Sequence, residues 1–275
     1  MELVSWNLAG RVSKCQAQVE ALAGLGADIL TLQETTARSR VPLSDALKAA
    51  GYQHLVDSFE RAPDTSPLKG PRRYGELIAS RFPLEALSPN QFGIPWPERV
   101  LSALVHTPNL SIELHTTHIP PGSSNGWIKI ETFEGLFAGL AKASERPRIL
   151  TGDFNTPQAE LSNGTVVTWA QRLTERGVKT KARFRGGDGH RWDLGERNIL
   201  VGLDPYDLHD VFRQLHGYER QEASWYTRNG TGRRFDHIFA SMALDVRECD
   251  YIHGVREEGL SDHSPILAVF ASQHD

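Results

Sequence analysis

The sequence has 275 residues, of which 39% are hydrophobic and 23% charged, and its net charge at pH 7 is −4. That length suits one large domain, and we expect residues 1–275 to form a single domain. No apolar run approaches the roughly 18 residues of a membrane span, and the first residues lack a signal-peptide pattern. The two cysteines, Cys15 and Cys249, are too few for a disulfide framework or a cysteine-built zinc site, so we expect a cytoplasmic protein.

The charges are unevenly distributed along the chain. Eight lysines and arginines stand against four acids between Arg172 and Arg197, so this segment carries +4 and the rest of the chain carries −8. A basic flap over an acidic centre would suit a phosphate substrate, although a solvated loop and helix face explains the same charges more simply. The acidic total argues against a protein that binds the nucleic-acid backbone over its whole surface.

Hydrophobic runs with the alternation of strands recur along the chain, with helical patterns between some of them. In chain order, strands are predicted at 2–6, 28–32, 75–80, 100–107, 111–118, 148–151, 235–240 and 264–270. Helices are predicted at 13–25 with Ser13 as the N-terminal cap, and at 43–50, 127–143 and 207–215. Neighbouring strands such as 100–107 and 111–118 predict antiparallel hairpins. The pattern favours an α/β fold in which two packed sheets are flanked by helices.

Polar side chains lie at the ends of these predicted strands. They are Asn7, Glu34, Asp153, Asn155, Asp236, Asp262 and His263. Alternate side chains of an extended segment face the same side, so Asp153 and Asn155 point together while Phe154 enters the core. Carboxylate and amide oxygens that crowd together repel unless a cation lies among them, and Mg²⁺ or Mn²⁺ prefers such ligands. We therefore expect Mg²⁺ or Mn²⁺ as the cofactor.

A single acid at a strand end is more often a helix cap or a turn former than a metal ligand. The short motifs around these residues are more specific when they are taken together and in order. They are Trp6-Asn7, Leu32-Gln33-Glu34, Gly152-Asp153-Phe154-Asn155, Arg234-Phe235-Asp236-His237-Ile238-Phe239 and Ser261-Asp262-His263-Ser264-Pro265-Ile266. From residue 6 to residue 266 they resemble the successive signatures of the endonuclease/exonuclease/phosphatase superfamily. That group includes deoxyribonuclease I, exonuclease III, apurinic/apyrimidinic endonucleases, sphingomyelinases and inositol polyphosphate 5-phosphatases.

The resemblance implies a four-layer α/β/β/α sandwich of two packed, mixed, mostly antiparallel sheets and metal-dependent cleavage of a phosphoester. By position it implies Glu34, Asn7 and Asp262 as metal-binding residues, and Asp153, Asn155, His118, Asp236 and His263 as catalytic residues. Asp153 resembles the group that orients or deprotonates the attacking water. A carboxylate beside an imidazole raises the imidazole pKa, so Asp236 would keep His263 protonated to donate to a phosphate oxygen.

His118 distinguishes branches of the superfamily that it resembles. Exonuclease III and the apurinic endonucleases typically have Tyr at this place, whereas deoxyribonuclease I, sphingomyelinases and several phosphatases have His. An imidazole there would protonate the leaving oxygen or bind the phosphate, although a histidine before Pro120 can also simply cap a turn. Ala9 stands where DNA-repair members tend to carry Asn or Asp, which weakens an assignment to abasic sites.

Three further residues are predicted to contact the substrate. Trp225 resembles an aromatic residue of exonuclease III-type enzymes that packs against a sugar, and the alternative is a core tryptophan in a strand. Asn125 follows His118 in a predicted substrate loop, and Arg99 lies near a strand boundary where it could meet a phosphate. Glu76 is a candidate support for His118.

We therefore expect a divalent-metal-dependent phosphodiester hydrolase, a DNA endonuclease or 3′–5′ exonuclease that acts by water attack on phosphorus. One alternative is a phosphatase or phospholipid-type phosphodiesterase of the same fold. A second alternative is a catalytically silent binding module, which would have lost Glu34, Asp153 or His263. DNA is the expected partner, with no membrane and no obligate protein partner.

Overall fold

The computed structural model describes residues 1–61 and 68–271. The strands of these residues are β1 (Glu2–Asn7), β2 (Ile29–Thr36), β3 (His54–Asp57), β4 (Tyr74–Ser80), β5 (Leu84–Ala86), β6 (Val100–His106), β7 (Ser111–His118), β8 (Arg148–Asp153), β9 (Ala159–Glu160), β10 (Val166–Val167), β11 (Gln171–Thr174), β12 (Gly177–Thr180), β13 (Arg183–Phe184), β14 (Gly187–Asp188), β15 (His209–Asp210), β16 (Trp225–Tyr226), β17 (Gly232–Arg233), β18 (Asp236–Ala240), β19 (Val246–Tyr251) and β20 (Ile266–Phe270). The helices are α1 (Cys15–Leu25), α2 (Arg40–Ala49), α3 (Ser58–Arg61), α4 (Gly122–Asn125), α5 (Ile128–Leu140), α6 (Gly189–Leu200), α7 (Val211–His216) and α8 (His253–Glu257).

Two six-stranded sheets form the centre of the structure, in the orders β19-β20-β1-β2-β4-β3 and β15-β18-β8-β7-β6-β5. Each sheet is antiparallel except for one central parallel pair, β1 with β2 and β7 with β8. The sheets pack face to face over a buried apolar layer that includes Leu3, Leu114 and Ile149. Two packed, mixed, mostly antiparallel sheets were the predicted arrangement, and this prediction is confirmed.

Helices cover the outer face of each sheet. On the first sheet Leu22 of α1 and Leu47 of α2 pack with Trp6 of β1. On the second sheet Phe133 of α5 and Trp192 of α6 belong to one buried cluster with residues of β8 and β18. The four layers of the predicted α/β/β/α sandwich are therefore present. Within the described residues no helix is long and apolar enough to cross a membrane.

Several helix boundaries differ from the predicted ones. Ser13 does not cap α1, because the residues 12–14 form a 3-10 turn and no side chain caps the helix that follows. The helix predicted at 207–215 begins at Val211. Asp210 caps it by accepting a hydrogen bond from the main-chain N–H of Arg213, and β15 before it pairs with β18 as a strand.

The sequence patterns missed β3, β19 and α6. A register shift between Val246 and Glu248 interrupts β19, so its alternation of buried and exposed residues is broken. Helix α6 begins after Asp188, whose side chain accepts from the N–H of His190, and it buries Trp192 and Ile199. The charges of the basic segment 172–197, in which α6 begins, obscured the apolar pattern of this buried face.

A buried group of charged side chains fixes the beginning of β18 beside the predicted site. Glu160 accepts from Arg213 at 2.6 Å and from Arg234 at 2.7 Å, and Arg234 also contacts Asp210 at 2.6 Å. Burial alone would raise the pKa of the Glu160 carboxyl, but the two arginines outweigh it and lower the pKa to about 2. Asp210 has its pKa lowered in the same way. No pattern in the sequence indicated this cluster, because its members come from three separate segments of the chain.

This cluster predicts a loss of stability in acid. The pKa of Glu160 is lower in the folded than in the unfolded chain, where it is about 4.3. The unfolded state therefore binds the proton first, and the stabilisation is lost between about pH 4 and pH 2. In urea titrations at pH 6 we expect Glu160→Gln to lower the free energy of unfolding by about 3 kcal/mol and to flatten its acid dependence.

Glu134 is the matched control, because it forms a similar pair with Arg191 that is half exposed. Glu134→Gln should change the free energy of unfolding by less than about 1 kcal/mol. Equal effects of the two substitutions would contradict the assignment to the buried cluster.

Candidate active site

The facing sides of the two sheets change from apolar to polar towards one edge. Along the central strands the inward-facing residues are Leu3, Ser5 and Asn7; Ile29, Thr31 and Gln33; Leu114, Thr116 and His118; and Ile149, Thr151 and Asp153. Hydrogen bonds join the sheets in the middle of this gradient, from Gln33 to Thr116 and from Thr151 to Thr31, each at 2.9 Å. The strand ends that were predicted to converge therefore meet at one edge between the two sheets.

Asn7 connects the carboxylates of the two sheets. Its amide nitrogen Nδ2 donates to Glu34 Oε1 at 3.2 Å and to Asp153 Oδ2 at 2.9 Å. Its oxygen Oδ1 accepts from the main-chain N–H of Ala9 at 2.8 Å, which fixes the direction of the amide. Asn7 was predicted as a metal ligand, but the atom that it turns to the carboxylates is a donor. In this arrangement Asn7 positions both acids, and its role as a metal ligand stays a prediction.

A bulge directs Glu34 into the site. The pairing of β2 with β4 shifts register between Leu32 and Thr35, and Glu34 has φ +54°, in the left-handed region. Strict alternation would turn Glu34 away from the facing sheet, whereas the bulge turns it towards Asn7 and His118. Burial raises the pKa of the Glu34 carboxyl, and the positive charge of His263 opposes that rise.

Asp153 lies at the end of β8 with its side chain almost fully buried. Its Oδ1 accepts from the main-chain N–H of Asn155 at 2.9 Å, and its Oδ2 faces Asn7. Burial raises the pKa of the Asp153 carboxyl to about 7, with the negative charges of Asp236 and Glu34 adding to the rise and His263 opposing it. Gly152 before it has φ +142°, and a Cβ there would lie 1.9 Å from the carbonyl oxygen of Thr117, so only glycine allows this close approach of β7 and β8.

Asp236 and His263 form the predicted pair. The Nδ1 of His263 donates to Asp236 Oδ2 at 2.8 Å, and its Nε2 lies 3.7 Å from Asp153 Oδ2. Burial disfavours a charged imidazole, but Asp236 and Asp153 outweigh it and raise the pKa of His263 to about 10. The indole of Trp6 donates to the His263 carbonyl at 2.9 Å, which fixes the main chain at this position. His263 is therefore a cation at neutral pH.

His118 has the opposite protonation. Its Nδ1 contacts Nη1 of Arg99, and because a guanidinium can only donate, Nδ1 must accept. The proton of the neutral ring is then on Nε2, which lies 3.4 Å from Glu34 Oε1. Burial, together with the positive charges of Arg99 and His263, lowers the pKa of His118 well below its usual value. His118 is therefore a neutral donor that faces the site.

Arg99 was predicted to bind substrate, and its position corrects that prediction. The side chain is only 1% exposed and binds the carbonyl of Pro71 and the ring of His118. Arg99 thus lies behind His118 and positions it. Glu76, the candidate support for His118, is fully buried, and the main-chain N–H of His118 is the donor that faces its carboxylate. Burial raises the pKa of Glu76 well above its usual value, and the positive charge of Arg99 opposes that rise.

The residues that position Asn155 were not predicted from the sequence. Asn155 has φ +51°, and its carbonyl accepts from Lys129 Nζ at 2.8 Å and from Trp169 Nε1 at 2.9 Å. Lys129 is buried and pairs with buried Glu196 of α6 at 2.9 Å. The sequence did contain one sign of this group. Lys129 is a charged residue near the start of a mostly apolar helix pattern, which indicates a buried lysine with a partner.

The site opens into a cleft of about 340 Å³. Its walls include Trp169, Arg185, Trp192, Trp225, Phe235, Asp262 and His263. The ring of Trp225 is partly exposed, stacks on Phe235 with centroids 5.3 Å apart and donates to Asp262 Oδ2 at 3.1 Å. The amide of Asn125 binds Pro121 and Ser124 of its own turn, and Asn125 is not among the cleft walls, so the structure does not bring this predicted residue to the site.

A larger cavity of about 560 Å³ lies at the opposite end of the sheets. Met1, Phe82, Leu110 and Phe270 belong to its walls, and it contains none of the predicted site residues.

The residues present fit a divalent cation. Carboxylate oxygens of Glu34 and Asp153 lie within 4.8 Å of each other. Burial raises the pKa values of Glu34 and Asp153, and a bound cation would reverse that effect by favouring the ionised carboxylates. Asp262 offers a further carboxylate at the cleft wall. These three carboxylates, with space for water beside them, form the kind of oxygen-rich site that Mg²⁺ and Mn²⁺ occupy.

The opposite states of the two histidines predict an NMR result for the metal-free protein. At pH 5.5 the imidazole ¹⁵N shifts of His118 should be those of a neutral ring with the proton on Nε2, because Arg99 occupies Nδ1. At pH 8 the shifts of His263 should be those of a cation, because its pKa is about 10.

Two substitutions test whether Arg99 sets the tautomer of His118. Arg99→Lys should weaken the tautomer preference of His118, since one ammonium cannot reproduce the guanidinium fork. Arg148→Lys is the control, because Arg148 is equally buried in the same sheet but binds the carbonyls of Leu140 and Tyr206. A protonated His118 at pH 5.5 in the unmodified protein would refute the arrangement.

Comparisons with known proteins support the fold. Solved structures that superpose on this chain include an AP endonuclease from Archaeoglobus fulgidus (TM-score 0.71, 21% identity, 99% of this chain and 100% of that chain) and a 3′–5′ exonuclease from Neisseria meningitidis (TM-score 0.68, 22% identity, 99% and 100%). D. rerio TDP2 complexed with single strand DNA product also superposes (TM-score 0.66, 17% identity, 99% of each chain). No curated protein matches the sequence. Residues 4–263 match the Endonuclease/Exonuclease/phosphatase family, and the chain belongs to that family.

Proposed function

We propose that this protein is a divalent-metal-dependent phosphodiester hydrolase that cleaves DNA by attack of water on phosphorus. The observation that carries the proposal is the amide of Asn7, which holds Glu34 and Asp153 on facing sheets within reach of one ion and of His263. An ordered acid, a separate metal-binding acid and a cationic donor are the groups that such a reaction needs. We further propose that it acts in a reducing compartment such as the cytoplasm, because Cys15 and Cys249 are both free thiols.

The proposed nucleophile is a water molecule next to Asp153. Its carboxylate is oriented by Asn7 and by the main-chain N–H of Asn155, so it can accept a proton from that water. The carbonyl of Asn155 is held in turn by Lys129 and Trp169, and its side-chain amide donates to the Ile119 carbonyl at 3.0 Å, so the main chain that orients Asp153 is fixed. This assigns Asp153 as the general base and Asn155 as its positioning companion.

The two histidines have different proposed tasks at the phosphate. His263, which Asp236 keeps charged, donates Nε2–H to a non-bridging oxygen and offsets its negative charge. His118, which Arg99 keeps neutral, donates a hydrogen bond from Nε2–H to the departing oxygen. Glu34 and Asp262 would hold the metal, and Mg²⁺ or Mn²⁺, when bound, supplies positive charge that offsets the charge of the phosphate.

DNA is the proposed substrate for two reasons. Trp225 and Phe235 present a stacked aromatic surface beside the phosphate site, which suits a base or a sugar. The structures that this chain resembles carry DNA-related names, namely an AP endonuclease, a 3′–5′ exonuclease and TDP2 with single strand DNA product. We therefore propose a role in DNA processing such as repair.

A phosphatase or phospholipid-type phosphodiesterase is the second candidate. His118 favours it over a repair endonuclease, because this residue resembles the histidine of sphingomyelinases and several phosphatases and not the tyrosine of repair endonucleases. The two candidates differ in the leaving group, so they separate in a direct comparison of substrates.

The test uses purified protein with Mg²⁺ and four substrates: abasic duplex DNA, single-stranded DNA, a phosphoinositide and bis-p-nitrophenyl phosphate. We expect cleavage of DNA and of the small diester, and loss of at least about 10³-fold in kcat for Asp153→Asn on both. Asp45→Asn is the control, because Asp45 is exposed on α2 and should keep normal kcat. Turnover of the phosphoinositide without DNA cleavage would replace the nuclease by the second candidate.

Metal removal gives an independent prediction. EDTA should abolish cleavage, and Mg²⁺ or Mn²⁺ should restore it, because burial disfavours the ionised forms of the partly buried Glu34 and the buried Asp153 and a bound cation offsets that effect. Mg²⁺ should also raise the Tm of the unmodified protein by binding the folded state, and this rise should shrink in Glu34→Gln. Full activity in EDTA would refute metal dependence.

A further inference from the structure

A basic hairpin extends from the body of the protein beside the cleft. Strands β11 and β12 form this hairpin, and the exposed cations on and next to it are Arg172, Arg176, Lys179 and Arg183. Within the described residues none of the four makes an ion pair or a side-chain hydrogen bond, unlike most arginines of this structure. Residues 172–185 contain six Lys or Arg and one acid, a net charge of +5, so the rest of the chain carries −9.

The base of the hairpin is fixed to α6. Gln171 accepts from Arg197 at 2.9 Å, and both Gln171 and Thr180 donate to Asp193. Gln171 pairs with Thr180, and Arg172 pairs with Lys179 on the next rung of the ladder. Because side chains alternate along a strand, Arg172 and Lys179 share the face opposite to these anchoring contacts.

The cationic face continues into the cleft. Lys181 extends the ladder by donating its N–H to Ala170, so its side chain is on the same face as Lys179, and its Nζ binds the Trp169 carbonyl at 3.0 Å. Burial and the positive charges of Arg172 and Arg185 lower the pKa of Lys181, so these three cations are neighbours. Trp169 and Arg185 are walls of the cleft. Arg172, Arg176 and Lys179 line one open depression of the hairpin, so the cations 172, 176, 179, 181 and 185 form one strip, here named the basic arm.

We propose that the basic arm binds the backbone phosphates of a nucleic-acid strand whose scissile phosphate lies at Asp153. This inference rests on the proposed function, since it assumes that the cleft receives a phosphodiester. It adds that the substrate extends several nucleotides beyond the cleft on the side of α6.

The dimensions favour a long polyanion. Each strand of the hairpin has four residues and so extends about 13 Å, which a single phosphate or head group in a cleft of about 340 Å³ does not span. A bilayer is disfavoured by the position of Leu173. This exposed apolar side chain is on the face opposite to Arg172 and Lys179, so the hairpin does not present its cations and its apolar residue to one surface.

The test measures binding separately from hydrolysis. A fluorescein-labelled single-stranded DNA of 20 nucleotides is titrated in EDTA at 50, 100 and 200 mM KCl, with fluorescence anisotropy as the readout. The arm variant is Arg172→Gln, Arg176→Gln and Lys179→Gln together. The control variant, Lys14→Gln, Lys48→Gln and Arg146→Gln, removes the same charge from exposed residues on other elements.

We expect the arm variant to bind at least about tenfold more weakly, with a slope of log Kd against log salt that is smaller by about 2, because each phosphate contact in a single strand contributes about 0.7. The control variant should bind like the unmodified protein. Hydrolysis of bis-p-nitrophenyl phosphate with Mg²⁺ should be the same in all three, since none of the changed residues lines the cleft.

Equal binding by the arm and control variants would overturn the proposal. So would arm-dependent sedimentation with phosphatidylserine vesicles in the absence of arm-dependent DNA binding, which would assign the arm to a membrane. Absence of hydrolysis of every substrate by the unmodified protein would refute the proposed function instead, and the anisotropy measurement in EDTA would still decide whether the arm binds DNA.

Discussion

The site depends on one hydrogen-bonded bridge between two sheets. Asn7 of the first sheet donates to Asp153 of the second sheet and to Glu34 of its own, so a single amide sets the separation of two buried carboxylates. An acid at position 7 would add a third negative charge, and a longer side chain would push the carboxylates apart. The packing of the two apolar faces beneath fixes the strands that carry these groups, so the stability of the sandwich and the geometry of the site have a common origin.

The protonation states of the two imidazoles at this edge depend on the residue that each ring contacts. His118 and His263 are both buried and both lie within 4 Å of Asp153 Oδ2, yet Arg99 makes one ring a neutral donor and Asp236 makes the other a cation. Two donors of unequal charge around one carboxylate can serve two different oxygens of a tetrahedral phosphate. The distinction comes from the residues behind the rings, because the surroundings of Asp153 itself are shared.

The sequence predicted most of the central strands and the meeting of their polar ends. A polar residue at the end of a buried strand lies at the edge of the sheet, next to the ends of the neighbouring strands. It did not predict the roles of Arg99, Lys129 and Glu196, since these depend on which elements become neighbours. Arg99 was nevertheless within reach of sequence reasoning. Counting back from the turn at 107–110 pairs Val100 with Thr117, which is the observed register and places Arg99 opposite His118. Lys129 and Glu196 had no such guide, because α6 was hidden among charged residues.

The distribution of charge defines a path for the substrate. Outside residues 172–185 the chain carries −9, so most of its surface repels a polyanion, and attraction is confined to the arm and to whatever cation occupies the acidic edge. At physiological salt the attraction between charges extends over only about 8 Å. A nucleic-acid strand that is bound to the hairpin is therefore attracted by the nearest further cation and not by the net charge of the protein. Lys181 and Arg185 supply those next cations between the hairpin and Asp153. The arm therefore offers nucleic acid a line of cations on a chain that is otherwise acidic.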